Sequence, residues 1–221
     1  MALAQVPPPE KPGRTPPTLV LPVPGAPLSA EMTEERVVKN ANGTAQTETR
    51  ISRVFRDEAG RVREEQELNV GDELSRIIII RNQPDGFMAL LVPSQRMGGR
   101  FALPKVEGTG FGIAFLGGPL INVPGEKSVE TENLGKQTLD GIEYEGHRVI
   151  TTSKEHPTLV GTEEHWFNKG LGLFASMKSS GPDEESAAKL TKLDRRAPDP
   201  ALFQIPADYV VQDLKENPPP H

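Results

Sequence analysis

Proline and glycine limit the folds open to this chain more than any other feature of its sequence. The chain holds 22 prolines and 21 glycines among 221 residues. Proline removes a helix hydrogen bond and glycine weakens a helix, so long helical bundles are disfavoured. Both residues favour turns, and between them the sequence reads as short extended segments. We therefore predict an all-β or β-rich α+β fold.

The segments between these turns alternate apolar and polar side chains with a period of two, which is typical of half-buried strands. The alternation is clear at residues 45–55 and 142–151. The isoleucine run 77–80 predicts a strand covered on both faces. Helix propensity and position conflict at residues 187–195, and we assign a strand because tertiary context often overrides propensity. We predict eight to ten antiparallel strands in one curved sheet or half-barrel, forming a single domain over residues 29–213.

The two ends of the chain are rich in proline. Residues 1–28 hold nine prolines and are predicted to form an extended N-terminal arm, whereas residues 214–221 are predicted to be a flexible tail. Two interpretations of the arm stay open: a disordered leader, or a strand added to its own sheet or to a neighbour's. The strand-forming positions would be Thr18, Leu19, Val20, Leu21 and Val23.

A segment at residues 105–126 is both apolar and rich in glycine. Its Gly-x-Gly-x-Gly stretch lacks the lysine, the hydroxyl residue and the strand-to-helix context of a phosphate loop, so nucleotide binding is disfavoured. Three interpretations remain: a long loop, a mobile flap over the concave face of the sheet, or a surface that docks on another subunit. The apolar side chains of the flap would be Phe111, Ile113, Phe115 and Leu116.

Composition excludes several classes of function. The net charge of −6 argues against a nucleic-acid partner held through phosphate contacts. The chain has no cysteine, so it can form no disulfide and use no thiolate as nucleophile or metal ligand. No run approaches the ~20 apolar residues of a transmembrane helix, so no integral membrane segment is predicted.

The sequence offers little evidence for catalysis. Glu143, Glu145 and His147 alternate along one predicted strand and could supply two carboxylates and one imidazole to a metal. The short ligand spacings of zinc sites are missing, and so is the Gly-x-Ser-x-Gly turn of serine hydrolases. We therefore assign no catalytic residue, no metal and no cofactor, and we predict a non-enzymatic protein.

Several stretches carry a resemblance to known proteins. They are residues 53–65, 132–135, 139–148, 164–167 and 198–209, the last ending in Phe-Gln-Ile-Pro-Ala-Asp-Tyr. The chain resembles a large group of exported, uncharacterised acidobacterial proteins, and more distantly the LolA, LolB and RseB lipoprotein-carrier superfamily. The resemblance implies an antiparallel half-barrel whose apolar concave face holds lipid chains in the carriers. It implies no particular functional residue here.

The beginning of the sequence bears on localisation. Ala2 and Ala4 fit the small-residue rule for signal-peptide cleavage, although no charged and apolar leader precedes them. We expect an exported protein, periplasmic or extracellular, whose signal peptide is absent from this sequence.

Two hypotheses about function follow. In the first, an apolar small molecule or lipid is held on the concave sheet face by burial alone. In the second, the protein is structural and self-associates through strand addition by its N-terminal arm. A hydrolase ranks below both. The ligand-binding residues predicted for the first hypothesis are Ile78, Ile80, Phe87, Leu90, Phe111, Phe115, Tyr144, Trp166, Leu171, Leu173 and Met177.

Overall fold

The computed structural model describes residues 19–40, 43–70, 73–103 and 125–214. Two short 3₁₀ turns, Pro93–Gln95 and Pro200–Phe203, join strands in this part of the chain. The twelve strands found in these residues are β1 Leu28–Lys39, β2 Ala45–Arg56, β3 Val62–Val70, β4 Glu73–Asn82, β5 Phe87–Val92, β6 Met97–Ala102, β7 Lys127–Leu139, β8 Ile142–Ser153, β9 Val160–Asn168, β10 Leu173–Ser180, β11 Glu184–Asp194 and β12 Val210–Leu214.

All twelve strands belong to one unclosed, curved sheet in the order β12-β6-β5-β4-β3-β2-β1-β11-β10-β9-β8-β7. Neighbouring strands run antiparallel, apart from β12 and β6, which pair in parallel. The predicted all-β half-barrel is therefore confirmed. The predicted strand at residues 187–195 is present as β11, whose packing outweighs the helix propensity of its alanines and lysines.

The twelve observed strands exceed the predicted eight to ten, and the two that the sequence did not indicate are β7 and β12. β7 is a 13-residue edge strand whose side chains are mostly exposed, so its sequence shows no alternation of apolar residues. β12 is parallel because the chain crosses the sheet after the 3₁₀ turn at Pro200–Phe203 before it pairs with β6. A parallel pair needs such a crossing, and tight turns between consecutive strands cannot supply it.

Three connections between consecutive strands, β1–β2, β4–β5 and β7–β8, have glycine after asparagine or aspartate in the sequence. In the β4–β5 hairpin, the Gly86 amide donates to the Gln83 carbonyl at 3.1 Å, and Gly86 has a φ of +70°. Asn82 closes the turn by accepting from the Asp85 amide at 3.1 Å. The left-handed conformation of Gly86 suits glycine because it has no Cβ to clash with the backbone.

The apolar core consists of two separate clusters. The larger one lies on β1, β2, β3, β8, β10 and β11 together with residues 19–21, and the smaller one lies on β4 and β5. We call the larger one the arm-covered cluster and the smaller one the strap-covered cluster. The strap is the C-terminal segment 199–214, which contains the second 3₁₀ turn and β12. The strap-covered cluster consists of Ile78, Ile80, Ala89 and Leu91, with Phe87, Ile205, Tyr209 and Val211 packed against it.

Candidate functional site

The N-terminal arm adds a short extended segment to its own sheet. Val20 forms an antiparallel β-bridge with Leu173 at the start of β10. The Phe174 amide donates to the Leu19 carbonyl and the Leu21 amide donates to the Gly172 carbonyl, each at 2.9 Å. This place is open because β11 pairs with β10 only from Ser176 to Ser180. The structure therefore shows a single β-bridge between the arm and its own sheet, while Thr18 lies outside the described residues.

The side chains of the arm complete the arm-covered cluster. Leu19 and Val20 are each 1% exposed, and Leu21 is buried beside them. Val23 packs against the edge of the cluster. On the sheet, five of the predicted ligand-binding residues lie in the same cluster or against it. They are Tyr144, Trp166, Leu171, Leu173 and Met177.

Two glycines let the backbone and an aromatic ring approach closely at this site. A Cβ at Gly172 would lie 2.4 Å from Cγ2 of Val23, so the arm can pass only because this position has no side chain. A Cβ at Gly146 would lie 2.6 Å from the ring of Trp166, its cross-strand partner. Gly146 and Gly172 therefore shape the site without contributing a side chain to it.

Arg56, the last residue of β2, fixes the other end of the arm. It is fully buried, its Nε donates to the Ala26 carbonyl at 2.6 Å, and its Nη1 donates to the Leu21 carbonyl at 2.7 Å. Desolvation lowers the pKa of Arg56 to about 10, so the guanidinium stays charged at neutral pH. Among the described residues, no carboxylate lies within ion-pair distance of it.

Sequence reasoning missed Arg56, although a signal was present. Side chains two residues apart on a strand point to the same face. Ser52, Val54 and Arg56 follow this spacing on β2, and all three are buried. An arginine in phase with an apolar residue could have been recognised as an inward charge.

The arm leaves little free space beneath it. A recess of about 10 Å³ remains, which is room for roughly one water molecule. With the arm in place, this recess therefore cannot hold a lipid tail. The recess is lined by Ala26, Pro27, Leu28, Arg56, Ile142, Leu171, Leu173, Leu193 and Arg195.

The structure places the other predicted ligand-binding residues in different surroundings. Ile78, Ile80 and Phe87 belong to the strap-covered cluster. Leu90 pairs with Ile79, so it lies on the opposite face from its neighbours Ala89 and Leu91. The predicted set therefore does not form one continuous surface. The glycine-rich segment with Phe111 and Phe115 lies outside the described residues, apart from residues 125 and 126.

Met177 is buried in the arm-covered cluster and is the cross-strand partner of His165. The His165 ring lies 5.7 Å from the His147 ring and 5.8 Å from the Phe174 ring. Burial, and then the nearby charge of His147, lower the pKa of His165. An imidazole in these surroundings favours its neutral form.

The carboxylates that the sequence placed near His147 have other partners. Glu143 and Glu145 lie 2.8 Å and 3.7 Å from Nζ of Lys136 on the edge strand. Within the described part of the chain, no three histidine, aspartate or glutamate side chains come together as metal ligands. The same part of the chain contains no helix of the length and apolarity needed to cross a bilayer.

The fold and the site define a curved, unclosed β-sheet whose main apolar cluster is covered by the N-terminal arm of the same chain. No protein-family model and no curated protein matches the sequence. Solved structures do show similarity to it, at 9–11% sequence identity.

Three such structures illustrate the level of similarity. A LolA superfamily protein from Nitrosomonas europaea is 9% identical, with 83% of this chain and 92% of that chain covered and a TM-score of 0.35. A DUF1329 family protein from Desulfovibrio piger is 10% identical, with 81% and 90% covered and a TM-score of 0.36. LprF from Mycobacterium bovis is 11% identical, with 80% and 90% covered and a TM-score of 0.33. These similar structures include a member of the LolA superfamily, to which the sequence bears a distant resemblance.

Proposed function

We propose that this is a non-enzymatic protein that binds an apolar, lipid-like ligand on the sheet surface now covered by the N-terminal arm. The proposal rests on how that surface is covered. An irregular segment, attached through the Val20–Leu173 bridge and the Arg56 side chain, shields a large apolar cluster. Ligand and arm would occupy the same surface in turn. Export of the protein stays a prediction from the sequence.

The free energies of side-chain burial and of chain ordering support an arm that can leave the sheet. Burying Leu19, Val20 and Leu21 contributes about 1.5–3 kcal/mol for each side chain. Ordering the same three residues opposes this by about 1–2 kcal/mol for each residue. The two sums are of the same order, so the arm is held weakly compared with a strand inside the sheet. A ligand with a large apolar surface can therefore compete with it.

A disulfide that locks the arm provides a direct test. The chain has no cysteine, so a Val20→Cys, Leu173→Cys variant would contain a single thiol pair at positions that are cross-strand partners. Cross-strand Cα separations suit disulfide geometry. We expect the oxidised variant to exclude the neutral dye Nile red and the reduced variant to bind it. The same molecule thus serves as its own control for the lost Leu173 side chain.

Native mass spectrometry of the purified wild-type protein would provide an independent measurement, because a retained lipid would add a discrete mass. The proposal would be wrong if Nile red bound neither the wild-type protein, nor the reduced variant, nor a variant lacking residues 1–27. Equal dye binding by the oxidised and reduced forms would also contradict it, because the dye would then bind elsewhere.

Assembly through the arm is a second candidate function, favoured by the same weak attachment. An arm that leaves its own β10 can make identical contacts with the β10 of a second copy, as in domain swapping. The cysteine variant distinguishes the two arrangements. A disulfide within one chain leaves a monomer on a non-reducing gel, whereas exchange of arms gives covalent dimers. Light scattering before and after deletion of residues 1–27 would show whether wild-type assembly depends on the arm.

A further inference from the structure

We propose that the ligand is an amphiphile with a single-chain apolar tail and an acidic head, and that Arg56 binds the head. This inference rests on the function proposed above. It concerns a residue that already has a structural role, since Arg56 holds the arm through the carbonyls of Leu21 and Ala26. The head of the ligand would replace those two carbonyls.

The first step of the argument is the cost of a buried charge without acceptors. Both carbonyls bound by Arg56 belong to the arm, so they leave together when the arm is displaced. A guanidinium enclosed by a purely apolar ligand would lose its hydrogen bonds and could not recover them from water. A carboxylate or phosphate restores them, because its oxygens match the planar guanidinium in a charge-assisted pair.

A comparison with Arg63 shows that this situation is particular to Arg56. Arg63 donates to the carbonyl of Leu202 in the strap at 2.8 Å and also lies 2.8 Å from the Glu65 carboxylate. Arg63 thus keeps its counter-charge whether or not the strap is in place. Within the described residues, Arg56 has no such carboxylate, so a positive charge is left for whatever occupies the site.

A second positive charge lies at the same recess. Arg195 lines it together with Arg56 and is exposed to solvent. The neighbouring acid, Asp194, forms its ion pair with Arg196 at 2.5 Å instead. Among the described residues none forms an ion pair with Arg195. The recess therefore combines two cationic side chains with a hydrophobic lining that includes Leu28, Ile142 and Leu171.

The overall charge of the protein makes the inference easy to test. With a net charge of −6, the molecule as a whole repels anions and attracts cations. Non-specific adsorption would therefore favour a cationic amphiphile over an acidic one. A preference for an acidic head must come from local side chains.

The experiment compares four probes that share one tail: dodecanoate, dodecyl phosphate, dodecanol and dodecyltrimethylammonium. Affinities are measured by competition with Nile red below the micelle concentration of each probe. We expect the wild-type protein to bind at least one acidic probe about tenfold or more tighter than dodecanol. Carboxylate and phosphate share the required chemistry, and the ratio of their affinities identifies which head the site fits.

The variant Arg56→Met removes the charge at similar volume and also frees the arm. We expect its preference for an acidic head to fall to about twofold or less, while its affinity for dodecanol stays equal or rises. The variant Arg56→Lys keeps the charge and should keep part of the preference. Circular dichroism would show whether each variant folds. If Arg56→Met does not fold, Arg195→Gln is the substitute, with a smaller loss of the same preference expected.

The outcomes separate this inference from the proposed function. Binding of all four probes without a preference for acidic heads, or the same preference in wild type and Arg56→Met, overturns the role of Arg56 but leaves an apolar ligand in place. Binding of none of the probes to the wild-type protein, or to the variant lacking residues 1–27, overturns the proposed function itself.

Discussion

The two apolar clusters of this sheet are covered in different ways. The strap covers its cluster and continues into β12, which pairs with β6 along five residues from Val210 to Leu214. The arm covers the larger cluster through one β-bridge, followed by a turn at Gly25 whose amide donates to the Glu58 carbonyl at 2.9 Å. A strand ladder distributes its hydrogen bonds regularly along the segment, whereas the arm is held at a few separate points.

The arginines that contact the strap and the arm also differ, because only one of them has a carboxylate partner among the described residues. Arg63 contacts the strap and is neutralised by Glu65, while Arg61 lies over the Phe203 ring at 5.4 Å. Arg56 contacts the arm without a carboxylate partner among the described residues. We therefore expect the strap to stay in place when the arm detaches, and this contrast can be tested by mutation.

The largest loss of stability is expected for a substitution in the strap. Phe203 is 1% exposed beneath Arg61, and Phe203→Ala should lower the free energy of unfolding by about 3–5 kcal/mol. Urea unfolding followed by circular dichroism measures the change. If the loss were below about 1 kcal/mol, the strap would be as dispensable as the arm and the contrast would fail.

The matched substitution in the arm should have a smaller effect. Leu19 is as buried as Phe203, so a fixed core position would lose about 2–5 kcal/mol on Leu19→Ala. If the arm detaches as proposed, the loss cannot exceed the free energy with which the arm docks. We expect about 1–2 kcal/mol in the same unfolding experiment, with Nile red binding increased.

A loss of about 2–5 kcal/mol in the free energy of unfolding for Leu19→Ala, without increased Nile red binding, would contradict a detachable arm. Deleting residues 1–27 measures the largest loss of stability that removal of the arm can cause. The deletion should cost no more than a few kcal/mol and should leave the far-ultraviolet spectrum of the sheet intact.

A pair of glycine variants sharpens the comparison at one point of the arm. Gly172 and Gly141 both have positive φ, +54° and +76°, so alanine strains the backbone at either position by about 1 kcal/mol. Only Gly172 also faces the arm, where the new Cβ would lie 2.4 Å from Cγ2 of Val23. At Gly141, a new Cβ meets nothing within 4 Å.

Gly172→Ala should therefore release the arm, while Gly141→Ala should not. We expect hydrogen exchange at the Leu21 amide, which is bonded to the Gly172 carbonyl, to accelerate in the first variant alone. Unchanged protection at Leu21 in Gly172→Ala would mean that the arm adapts without leaving the sheet.

The sequence predicted the features of this fold that depend on neighbouring residues. Alternation along one strand and turns rich in proline and glycine define hairpins within a few residues, and the β1–β2 and β4–β5 hairpins are present. The missed strands lack local signals: β7 has few apolar side chains, and β12 pairs with a strand more than a hundred residues earlier. Sheet class follows from local patterns, whereas the order of distant strands does not.

The candidate site was less predictable for the same reason. Tyr144, Trp166, Leu171 and Leu173 could be chosen because they are apolar and in phase on two adjacent hairpins. Their cover comes from Leu19 to Leu21, about 150 residues away along the chain, and no short-range pattern brings the two segments together. The sequence also could not separate this cluster from that of Ile78 and Ile80, because alternation defines two faces but not which cluster each face joins.

The smallest predicted change in stability depends on pH, and it involves His165 at the margin of the arm-covered cluster. Burial and the charge of His147 lower the pKa of His165 below its ordinary value of 6.5. The unfolded chain therefore binds more protons than the folded chain when the pH falls below 6.5. The stability tied to His165 is fully present above that pH and declines as the pH drops towards the folded-state pKa. We expect a His165→Gln variant to lose this slope in urea unfolding between pH 7 and 5, and a His147→Gln variant, which removes the second cause, to reduce it. A wild-type stability that rises on acidification, with the rise abolished by His165→Gln, would show that this histidine has a charged partner and does not sit among aromatic rings as a neutral group.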